Sequence, residues 1–128
     1  MTSTPPEWML RPDTYDTVRA RIAATTLAEA GALLRAQAAQ RHWRIGELVA
    51  DWVGPARRSF DRRLAETEAN AQHLGLRCAA AATNLRAEAE LHERREAARI
   101  EALREWHIDQ VVAIEPAQNE AAVGTVVL

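Results

Sequence analysis

The chain has no lysine, one cysteine, one tyrosine and one phenylalanine, and aromatics make up only 5% of it. Cys78 alone cannot form an internal disulfide or a cysteine metal cluster. Runs of the β-branched and aromatic residues that strands prefer are nearly absent before Val111, which argues against a sheet. Between Met1 and Pro12 no basic segment leads into an apolar one, so no classical signal peptide is expected. No stretch approaches the roughly 18 consecutive apolar residues of a membrane span, and a soluble chain is expected. The formal net charge is −2, and Arg alternates with Glu through residues 57–68 and 88–105. Neither sign gathers on one face, which argues against a nucleic-acid partner.

Chemistry-bearing patterns are missing too. His42, His73, His92 and His107 offer no pair at metal-ligand spacing. His92-Glu93 runs into Arg94-Arg95-Glu96 and is no His-Glu-x-x-His zinc motif, and there is no Glu-x-x-His pair of the di-iron type. Phosphate-binding Gly-x-Gly and Gly-Lys-Ser/Thr loops are absent. A non-enzymatic chain without metal or cofactor is the expectation.

What remains is rich in Ala, Arg, Glu and Leu, the residues that cost least in a helix. Residues 1–13, with Pro5, Pro6 and Pro12, read as an extended segment. Asp13 or Thr14 caps a first helix, with Asp16 favourable at the positive end of its dipole. Apolar residues then recur at helical spacing: Val18, Ile22, Leu27, Ala30, Leu34, Ala38, Ile45, Val49, Trp52. Thr25, Thr26 and Gly31 suggest a kink near 25–31. The pattern stops at Trp52-Val53-Gly54-Pro55, and a Gly-Pro pair between two helical patterns signals a turn, here at 53–55.

A second stripe follows: Phe60, Leu64, Thr67, Ala71, Leu74, Cys78, Ala81, Leu85, in steps of 4-3-4-3-4-3-4. That is a coiled-coil-like seam, with small residues that let a neighbouring helix approach. Buried, Cys78 is then a small apolar side chain. The stripe drifts through Ala89, His92, Glu96, Ile100 and Leu103, and the helix is expected to end near Gln110. Residues 111–128 read as a flexible tail, with Val123, Val126, Val127 and Leu128 apolar enough to dock transiently. A hairpin domain over 14–110 results, all-α, with two long antiparallel helices joined by a short turn. Two helices alone cannot cover such a seam, so Phe60, Leu64, Ala71, Leu74, Cys78, Ala81 and Leu85 are expected at a dimer contact that completes a four-helix bundle.

Trp52-Val53-Gly54 at a turn between two long helices, in a small Ala-rich chain, resembles the WXG family exported by type VII (ESX) secretion in actinobacteria and some other bacteria. The resemblance covers roughly residues 14–105. A second family element is a Tyr-x-x-x-Asp/Glu signal late in helix two. Here His92-Glu93-Arg94-Arg95-Glu96 has that spacing with His in place of Tyr, and Tyr15, followed four residues later by Arg19, cannot supply it. His92 lies 40 residues beyond Trp52, about 60 Å of helix at 1.5 Å per residue. In an antiparallel dimer the turn of one chain would then lie beside the 92–96 segment of the other. By this resemblance, Trp52 and Gly54 from one subunit and His92 and Glu96 from its partner form a surface that a secretion ATPase reads.

Each element also has a plainer reading. Trp52 closes the hairpin as a core aromatic, Gly54 serves the turn alone, and His92 with Glu96 is an ordinary i,i+4 surface pair. The expected function is that of a secretion substrate or substrate partner, paired with a second WXG-like hairpin in a homo- or heterodimer. It would be secreted without a signal peptide, or cytoplasmic before export. The alternatives are a cytosolic coiled-coil adaptor and the targeting partner of a secreted toxin.

Overall fold

The computed structural model describes the backbone of residues 4–126 and the side chains of residues 4–114. Every regular element is helical: α1 Glu7–Leu10, α2 Thr17–Leu48 and α3 Pro55–Val126, with no strand among the described residues. The chain divides into two compact units, Asp16–Ala89 and Met1–Tyr15 with Glu90–Leu128, and α3 contributes to both.

Four boundaries differ from expectation, the first being that α2 ends at Leu48, so that residues 49–54 make the turn expected at 53–55. The N-terminal segment is not wholly extended, because Glu7–Leu10 closes one turn, with the Met9 amide donating to the Pro6 carbonyl at 3.0 Å. The cap of α2 is Asp16, whose Oδ1 accepts the Arg19 amide at 2.9 Å. Asp13 instead forms a turn of its own, Oδ1 accepting the Tyr15 amide at 2.9 Å. The second helix does not stop near Gln110: its backbone continues to Val126 through the segment expected as a tail. The side chains of Val123, Val126, Val127 and Leu128, and so their docking, lie outside the described residues.

Within the unit Asp16–Ala89, α2 packs on the first half of α3 with the chain direction reversed. Val49 meets Arg57, His42 meets Glu68, and Gly31 meets Gly75 and Cys78. The buried side chains are all alanine: Ala20, Ala24 and Ala38 from α2, Ala82 and Ala89 from α3. Buried Gly31 and Gly75 join them. Methyl groups and bare backbone let the helices approach closely, but a buried methyl is worth only about 0.8 kcal/mol. This seam is close-fitting and thin.

The inner face of α2 is shifted from the expected stripe. Leu27, Leu34, Ala38, Ile45 and Val49 turn inward, whereas Ala30 is exposed and Val18 and Ile22 remain 67% and 62% exposed. On α3, Phe60, Leu64, Ala71, Cys78, Ala81 and Leu85 are partly buried. Thr67 and Leu74 are not, and Leu74 is 48% exposed. The inner register buries Gly75 and Ala82, next to Leu74 and Ala81, and partly buries Glu68 where Thr67 is exposed. Size explains the shift, since Gly75 allows a backbone contact with Gly31 that Leu74 would prevent.

Candidate functional site

The turn between the long helices is built around Gly54, whose φ of 104° lies in the left-handed region that glycine alone enters without steric cost. Pro55 opens α3, where its missing amide hydrogen leaves no bond unmade. The C-terminal carbonyls of α2 need partners. Arg57 meets the cap carbonyl, its guanidinium donating to Val49 and, at 2.9 Å, to the Trp52 carbonyl in the turn. Asp61 orients the same guanidinium through Nε at 3.0 Å. Cation and donor are thus placed at the negative end of the helix dipole. Trp52 leans on Phe60, ring centroids 5.5 Å apart, and stays 43% exposed beside Val53 at 83%. An aromatic and an aliphatic side chain are therefore presented outward on a turn pinned by Gly54 and Arg57.

The unit formed by the N-terminal segment and the later part of α3 holds the densest polar network. Its inner positions on α3 are His92, Glu96 and Arg99, all partly buried. His92 Nδ1 donates to Asp13 Oδ2 at 2.6 Å, and its ring stacks on Tyr15 with centroids 4.0 Å apart and planes at 8°. Glu96 Oε2 accepts the Asp13 amide at 3.1 Å. Arg99 grips Glu96 with two bonds, Nε to Oε2 at 2.9 Å and one terminal nitrogen to Oε1 at 2.6 Å. Its other terminal nitrogen donates to the Met9 carbonyl at 2.5 Å. Residues 9–15 are thus strapped to α3 by three consecutive inner positions.

Two carboxyls in this strap lie below the ordinary carboxylate range. The Tyr15 amide, then His92, favours the ionised form of Asp13. Arg99, then the Asp13 amide, does so for Glu96. Arg99 is raised in turn by its bond to Glu96. Both anions are held by hydrogen-bond donors, which favours the charged form.

His92 and Glu96, expected to face a partner, are therefore engaged within the chain. Sequence reading took Asp13 for a helix cap and did not find Arg57 or Arg99. The signal for Arg99 was present: a 3-4 spacing extended past Leu85 reaches Ala89, His92, Glu96, Arg99 and Leu103. Three polar residues in a row on a seam demand polar partners.

No family model, curated protein or solved structure matches the chain. Among the described residues no three His, Cys, Asp or Glu side chains gather where they could hold a metal ion. Nor is any described helix long and apolar enough to cross a membrane.

Proposed function

We propose that this chain is a WXG-like helical hairpin, exported as a type VII (ESX) substrate or as the partner of one, and working non-enzymatically as a subunit of a helical dimer. The observation that carries the reading is the position of Trp52-Val53-Gly54. The three residues occupy the break between two long packed helices, with Trp52 and Val53 outward and Gly54 in a conformation only glycine takes freely. A secretion ATPase that reads an apolar pair on a rigid turn would find one here. Because His92 stands where the export signal has Tyr, the Tyr-x-x-x-Asp/Glu element comes from a second hairpin of different sequence, encoded nearby.

The engagement of His92 with Asp13 and of Glu96 with Arg99 favours a second reading, a cytosolic adaptor whose polar strap serves folding alone. Blotting cell pellet against culture filtrate in the native host, with a genomic neighbour co-expressed, separates the two. Trp52→Ala is expected to abolish release while circular dichroism stays unchanged, since half of the indole already lies in solvent. Wild-type protein confined to the pellet, with a known substrate still released, would leave the adaptor reading standing.

A further inference from the structure

On the later part of α3, His92, Glu96, Arg99, Leu103, Trp106 and Gln110 are partly buried, at steps of 4-3-4-3-4. That spacing is the seam one helix offers to another. Yet its first three positions are taken by residues 9–15, of which 12–15 have no helical structure. Extended chain on a helical seam is a mismatch, and the contacts show how it is bridged. Backbone groups stand in for side chains: the Asp13 amide donates to Glu96, and the Met9 carbonyl accepts from Arg99.

The hold is shallow. Among the described side chains of this unit, residues 4–15 and 90–114, none is buried. Beside the strap an open hollow remains, walled by Trp8, Arg11 and Asp13 on one side and by Arg95, Ala98 and Arg99 on the other. The segment is therefore kept in place by hydrogen bonds and ion pairs near water, which exchange readily for bonds to water, and not by a core. Segments held in this way open first, while the rest of a fold stays closed.

We propose that residues 9–15 are a displaceable strap, which occupies the 92–99 face of α3 in the single chain and gives it up to a helix of the partner hairpin. The strap's own groups define what that helix must carry. It needs a carboxylate for His92, as Asp13 supplies, and a second acceptor for Arg99 in place of the Met9 carbonyl. An acidic helix face meets both demands. Tyr15, stacked on His92, leaves with the strap. This deepens the reading of the chain as a dimer subunit, and rests on it. Pairing is then conditional on opening, and the apparent affinity falls with the fraction of chains whose strap is open.

Titration of the full chain with the purified hairpin encoded beside it, followed by calorimetry, tests the strap. The double variant Asp13→Ala/Tyr15→Ala removes strap groups and leaves His92, Glu96 and Arg99 intact. Neither residue lies in a helix, so circular dichroism should not change. The variant is expected to bind about tenfold tighter, the gain when a face open in about one chain in ten becomes open in all. In wild type, binding should strip hydrogen-exchange protection from the Asp13 amide, which donates to Glu96. Equal or weaker binding by the variant, retained protection of that amide in the complex, or a hairpin that binds neither form would overturn the strap. Tighter binding by the variant with no chain released into the filtrate would leave the strap standing and sink the export reading alone.

Discussion

Gly31 and Gly75 meet backbone to backbone where α2 crosses α3: a Cβ added at Gly31 would sit 2.7 Å from the Gly75 carbonyl oxygen and 3.1 Å from Cys78 Cβ. A Cβ at Gly75 would lie 2.9 Å from the Gly31 carbonyl oxygen and equally close to Arg35 Cγ. Close approach, rather than a helix break, is what Gly31 provides, since α2 is assigned as helix from Thr17 to Leu48 without interruption.

Alanine scanning of three glycines should therefore give opposite signs. Gly31→Ala gains about 1 kcal/mol of helix propensity but must push backbone aside, and overpacking of this kind costs about 1–3 kcal/mol. Net destabilisation is expected there, and a smaller loss at Gly75→Ala, where the flexible Arg35 stem gives way on one side. Gly46 has nothing within 4 Å of an added Cβ, so Gly46→Ala should stabilise by about 0.5–1 kcal/mol. Thermal melts followed at 222 nm decide it; a lower Tm for Gly46→Ala than for Gly31→Ala would contradict the packing described.

Acid should loosen the strap around His92. Asp13 and Glu96 are held below their ordinary values when folded, so the released segment binds protons more readily than the strapped one. Their contribution is full above the unfolded carboxyl values, near pH 4, and is lost as pH falls through the lower folded ones. The Asp13 and Tyr15 amides report this directly, because Glu96 and Asp13 accept from them. Their hydrogen-exchange protection should fall below about pH 4, and Asp13→Asn should lower the Tyr15 protection already at pH 7. Protection unchanged down to pH 2.5 would show that these carboxylates do not hold the strap.

Register on α3 can be checked with two acids. Leu74 is 48% exposed and Ala82 only 1%. Ala82→Asp buries an unpaired charge, a cost of several kcal/mol, and should unfold the helices. Leu74→Asp should keep the chain helical by circular dichroism. If light scattering then shows a loss of association, Leu74 belongs to a contact between chains; if the helix content collapses, the inner register is the one the 4-3 spacing first suggested.

Sequence alone determined the helical class and the start of the last helix at Gly54-Pro55, though not the end of α2 at Leu48. Ala, Arg, Glu and Leu leave no strand to form, and Gly54-Pro55 combines a left-handed residue with a ring suited to opening a helix. Those are local properties of a few adjacent residues, so they survive without tertiary context. Which side of each helix faces inward was decided only by packing. Periodicity favoured the larger apolar groups, yet close approach between two lone helices selects glycine and alanine, and this turned Val18, Ile22 and Leu74 outward while bringing Gly31 against Gly75. The strap followed the same logic. Asp13 and Arg99 are 86 residues apart, and nothing local joins them. Only the folded chain brings the Asp13 amide and the Arg99 guanidinium to one carboxylate, Glu96, because polar residues half-covered on a seam are paired by the segment that covers them.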